Sequence, residues 1–192
     1  MPVRPRSRGA RGALPYFRLL FAYVKSGGTD WKAVFVLLLG ACSLTIGTSP
    51  NAYPFPSEKV FSVRPDVAAN ITNFYTEPEV VELERNVYSD LQLFTATAVT
   101  MVQRELKLKD VRMSADAEKT VVLKMVLPKW TRTMWTQSGH VTLQAVFGNG
   151  EERSFKADYT TAGNAMRAFN GAILRAVTSL LEDEGFAAYL NE

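Results

Sequence analysis

Cys42 is the only thiol in the sequence, and it stands directly after the apolar run Val34-Phe35-Val36-Leu37-Leu38-Leu39, which closes on Gly40 and Ala41. Such a run, ended by small residues, reads as a secretory signal whose cleavage leaves Cys42 as the new amino terminus. Other reactive groups are sparse. His140 is the sole histidine, so neither a transition-metal site nor a Cys-His nucleophile pair has a second member close by. Ser89, Asp90, Asp110, Asp116 and Glu118 supply oxygen groups, and two carboxylates suffice for glycosidase chemistry, but spacing alone does not make them converge. Gly148-Asn149-Gly150 lacks the lysine and the following helix of a phosphate-binding loop. No catalytic residue, metal ligand or cofactor site follows from these spacings.

The run from Ala33 to Ala41 is about nine residues long, within the roughly 7–15 of a signal core and short of the ~18–20 that a membrane-spanning helix needs. Leu39-Gly40-Ala41-Cys42 resembles the lipobox of bacterial lipoproteins, which takes Leu, a small residue, Gly or Ala, then Cys. The resemblance implies that the Cys42 thiol carries diacylglycerol, that the bond before it is cut, and that the freed amine is acylated. One acyl chain holds a protein at a membrane only marginally, whereas two or more hold it stably. Ser43 follows the cysteine where lipoproteins kept at the inner membrane commonly have Asp, so the same resemblance implies an outer-membrane anchor with the domain facing the periplasm.

About thirty residues precede the apolar run, carrying Arg4, Arg6, Arg8, Arg11, Arg18, Lys25 and Lys32, which is long for a signal leader. Two readings compete: initiation further in, at Val24, or a disordered basic leader. The near absence of apolar residues over 1–12 favours the first. Removing 1–41 also changes the charge. The whole chain is +3, but 15 basic and 18 acidic residues remain after Cys42, a balance near −3. Nucleic-acid binding, which needs clustered Lys and Arg against phosphates, thereby loses its compositional support.

Residues 43–67 are rich in Ser, Thr, Gly and Asn and include Pro50, Pro54, Pro56 and Pro65, which oppose helix and central strand alike. The organisation expected is a leader over 1–41, a lipidated Cys42 with a Pro-rich tether over 42–66, and one periplasmic domain over 67–192. Roughly 150 residues after the cysteine suffice for one domain with its own core.

Within that domain a strand is expected near 67–75 and a helix over 86–106, where Leu91, Phe94, Ala98, Met101 and Leu106 recur at helical steps. Glu79, Glu82 and Glu84 precede that helix or begin it, matching its dipole. A strand at 121–127 is expected to be interrupted at Pro128 or left at an edge. Residues 141–147 and 153–159 largely alternate apolar with polar around Gly148-Asn149-Gly150, a clear hairpin. A second helix is expected over 164–184, with Met166, Phe169, Ile173, Val177, Leu180 and Leu181 as its apolar stripe and Gly185 as its stop. Phe186 and Tyr189 follow as a short final turn. The fold expected is α+β: an antiparallel sheet of about four strands with two amphipathic helices on one face.

This order of lipobox, Pro-rich tether, strand, helix, three-stranded meander and terminal amphipathic helix resembles small envelope lipoproteins of the YajG type and auxiliary lipoproteins of ABC transport systems. The stretch from Phe155 to Tyr159 with the helix after it carries the likeness best. Such families imply a non-catalytic accessory role in envelope assembly or lipid transport, with the membrane and an envelope protein as partners. Two alternatives are a carrier of an apolar ligand such as a lipid, and an uncharacterised hydrolase. The surface expected to contact a partner is Trp130, Arg132, Met134 and Trp135, a combination of aromatic, thioether and cation enriched in binding hot spots. The alternative expectation is that Trp130 and Trp135 cap the open end of the core.

Overall fold

The computed structural model describes residues 44–50, 63–64 and 66–192. Cys42 and the preceding Leu39, Gly40 and Ala41 lie outside the described residues. In chain order the elements are β1 (Leu44–Ile46), β2 (Ala68–Asn73), β3 (Val80–Glu84), β4 (Val87–Asp90), α1 (Leu91–Lys107), β5 (Arg112–Met113), β6 (Lys119–Arg132), β7 (Gln137–Phe147), β8 (Glu152–Thr161), α2 (Ala165–Leu181) and α3 (Glu184–Asn191).

The domain is α+β, but its sheets are mixed. Five strands run in the order β5-β2-β6-β7-β8, and a smaller sheet has the order β1-β4-β3. The β6-β7-β8 meander is antiparallel, with Val121 opposite Phe147 and Leu143 opposite Phe155. The expectation of an all-antiparallel sheet of four strands fails at β2, which pairs parallel to both β5 and β6. The physical reason is the connection: α1 carries the chain back to the starting end of β2, so the next strands run in the same direction as β2.

The first helix begins at Leu91 rather than at residue 86, because 80–90 is a hairpin of β3 and β4 that turns at Asn86 with φ 62°. Glu82 and Glu84 therefore sit on β3 and not in a helical first turn. The N-terminus is capped by Asp90, whose carboxylate accepts the Gln92 N–H at 2.9 Å. Asn164 caps α2 in the same manner, accepting the Arg167 N–H at 3.0 Å. Gly185 does not stop α2. That helix ends at Leu181, Asp183 caps a third helix by accepting the Phe186 N–H at 2.8 Å, and Gly185 lies in its first turn.

The core lies between the five-stranded sheet and the helices. Phe94 of α1 and Phe169 of α2 meet with ring centroids 4.9 Å apart, and Tyr189 of α3 stacks on Phe147 of β7 at 5.1 Å. Each such side chain, fully buried, contributes about 1.5–3 kcal/mol relative to exposure. Gly139 on β7 is required by close approach: a Cβ there would stand 2.9 Å from the backbone of Ala168 and Phe169.

Residues 44–50 of the stretch expected to be a tether instead lie on the domain. β1 pairs parallel with β4, Ile46 is buried in the core, and Thr48 Oγ1 is 2.7 Å from Thr97 Oγ1. The Ser49 N–H donates to Asn170 Oδ1 at 3.0 Å. The composition of polar and small residues permitted a spacer, but the Thr48 side chain finds a partner on α1 and the Ser49 backbone finds one on α2.

Candidate binding surface

β6 and β7 form a long hairpin whose turn, residues 133–136, carries the most exposed large apolar side chains described. Met134 is 85 % exposed and Trp135 is 79 % exposed. The turn has a fixed shape. Thr133 Oγ1 accepts the N–H groups of Trp135 at 3.2 Å and Thr136 at 3.0 Å, and the Thr133 N–H donates to the Thr136 carbonyl at 2.8 Å.

The four residues expected to form one contact surface are divided by the fold. Trp130 is a core residue, 9 % exposed, and its indole N–H is buried without a partner among the described residues. It therefore offers no contact surface, and the expectation is corrected for this residue. Arg132 lies outside, with its guanidinium 5.3 Å from the Trp130 ring and its Nε 3.8 Å from Glu84 Oε2 on β3. Met134 and Trp135 lie beyond it on the turn.

A bulge in β6 accounts for the division. Val126 faces Thr142 and Lys129 faces His140, so β6 advances three residues while β7 advances two. The extra residue reverses the inward and outward phase. Val121, Leu123 and Met125 point into the core before the bulge, and Trp130 does so after it. Leu127, at φ 47°, is left 77 % exposed, and Pro128 sits where the ladder is already broken.

The groups weighed for catalysis are dispersed. Ser89 is buried in β4, Asp90 serves as a cap and also accepts the Glu79 N–H at 3.1 Å, and Asp110 occupies a turn after α1 at φ 62°. Asp116 and Glu118 are exposed before β6. His140 stands on the solvated face of the sheet, 3.4 Å from Thr131 Oγ1 and opposite Asp158 in register. A groove of about 360 Å³ beside it is lined by Leu127, Lys129, Thr142 and Lys156 and is open to water. Among the described residues, no group of three His, Cys, Asp or Glu side chains is placed to hold a metal ion, and no helix is long and apolar enough to cross a membrane.

Two features of this surface escaped the sequence reading. Met166, expected on the buried stripe of α2, is 46 % exposed in its first turn. The link between Arg132 and Glu84 depended on strands β3 and β4, which were not foreseen.

No family model matches the sequence, and no curated protein matches it. Among solved structures, a Xanthomonas campestris protein of the family designated DUF330 is similar over 78 % of this chain and 95 % of its own, with 12 % identity and a TM-score of 0.42.

Proposed function

We propose that the mature chain is a lipid-anchored domain of the bacterial envelope, tethered through Cys42 and acting by binding as a non-catalytic accessory in envelope assembly or lipid transport. The observation that carries this reading is the motif Leu39-Gly40-Ala41-Cys42 at the end of a signal-length apolar run, two residues before the first strand of a folded domain. Acylation at that sulfur gives the domain a permanent place at a membrane surface. Ser43 favours transfer to the outer membrane, with the domain on the periplasmic side. A rigid turn that exposes a tryptophan and a methionine next to an arginine supports a binding role over a purely structural one.

Membrane fractionation of cells producing the parent protein and Cys42→Ala tests the proposal. The parent sediments with outer-membrane fractions and needs detergent for release, whereas Cys42→Ala does not. A parent protein recovered in the cytosol without detergent would overturn the reading.

A further inference from the structure

Leu44 pairs with Val87 in β4, and Val87 pairs with Glu84 in β3. Glu84 in turn lies 3.8 Å from Arg132, the last residue of β6 before the turn. Two strand spacings of about 4.8 Å separate Leu44 from Glu84, so the first described residue of the domain lies at the end that bears the β6-β7 turn. The direction of the chain agrees. The Leu44 N–H donates to the Asn86 carbonyl at 3.0 Å, which puts the start of β1 beside the turn between β3 and β4.

Cys42 precedes Leu44 by two residues, and two residues span at most about 7 Å. An acyl anchor at Cys42 is therefore covalently held to the end of the domain that carries Met134 and Trp135. At that end Leu44 is 55 % exposed, and Arg85 and Arg132 are exposed in the two hairpins. Turns ordinarily take Gly, Asn, Asp or Ser, so Met and Trp at this position serve neither the turn nor the core. Tryptophan and methionine beside arginine are suited to the headgroup layer of a bilayer, where the ring has an apolar and a polar neighbour and the guanidinium meets phosphate.

We infer that the turn at 133–136 is a second membrane contact, seated in the headgroup region of the same leaflet that holds acylated Cys42. The inference rests on the anchored reading above. The domain then stands with its β6-β7 turn toward the lipid, and its orientation is fixed by two points rather than swinging on a spacer. Arg132 is shared between Glu84 and lipid phosphate, a loose exposed pair that exchanges at little cost.

The test uses the acylated protein purified from membranes and reconstituted into phosphatidylethanolamine and phosphatidylglycerol vesicles whose acyl chains carry bromine near the headgroups. After cleavage before Cys42 the chain keeps two tryptophans, Trp130 and Trp135. The parent minus Trp135→Phe difference isolates the exposed one. The expected result is that brominated lipid lowers the Trp135 emission about twofold and that its maximum lies to the blue of a water-exposed indole. A protein with acyl mass on Cys42 but an unquenched, red-shifted Trp135 overturns the turn contact and leaves the anchor standing. A protein without acyl mass overturns the anchored reading itself. A photocrosslinker at position 135 that joins an envelope protein in cells, with no lipid quenching in vesicles, assigns the turn to a protein partner and likewise overturns the inference.

Discussion

The hydroxyl of Thr95, on α1, accepts the backbone N–H of Met125, on β6, at 3.0 Å. β2 has already ended at this level, its last register pair being Asn73 with Leu123. The adjacent Met125 carbonyl accepts from the Tyr75 hydroxyl at 2.8 Å. Two side chains thus take over from a missing strand and let β6 continue toward the exposed turn with its backbone satisfied.

Thr95→Val keeps the shape of the side chain and removes the acceptor, leaving the buried Met125 N–H unpaired. A loss of about 1–3 kcal/mol in unfolding free energy is expected, read from the urea midpoint. An unchanged midpoint would show that this contact does not support the hairpin.

Tyr75 gives the domain an alkaline limit. Burial, and secondarily the charge of Glu79, raise its phenol above the ordinary value of 10.0. The folded state therefore holds the proton more tightly than the unfolded state. Its contribution to stability is complete below pH 10 and is lost as pH rises through the folded value. Tyr75→Phe has a shallower decline of stability above pH 10 than the parent, checked by thermal unfolding across that range.

Ile46 distinguishes a docked amino-terminal segment from a spacer. It is 4 % exposed and belongs to the core, so Ile46→Ala is expected to cost about 2–4 kcal/mol. A free tether predicts no change, and the same urea titration separates the two.

The β6 bulge sets which tryptophan faces water. Deleting Leu127 removes the extra residue and gives β6 unbroken alternation with β7, in which Trp130 falls four places after Met125, keeps Gly139 opposite and still faces the core. In a Trp135→Phe background the Trp130 emission is then expected to stay as blue as in the same background carrying Leu127. A red, water-exposed emission in the deletion variant would refute the phase argument.

The elements that could be read from the sequence are those with long local patterns. The β7 and β8 strands alternate around Gly148-Asn149-Gly150, with Gly150 at φ 86°, and α1 and α2 carry apolar stripes over 17 residues each. The missed strands are short and largely exposed. β5 has two residues, β1 has three, and Glu82 and Glu84 gave β3 the look of a helix start. Parallel pairing of β2 with β6 joins segments about fifty residues apart, and no local period encodes it. The exposed Met134 and Trp135 were visible as residue types, but the burial of Trp130 depended on one inserted residue in a ladder that only the folded register reveals.

The most direct test of the account is the mass of the mature amino-terminal peptide from protein extracted out of membranes. The account predicts a peptide that begins at Cys42 and carries diacylglycerol on sulfur and a further acyl chain on nitrogen. A peptide that contains Ala41 joined to an unmodified Cys42 would contradict it.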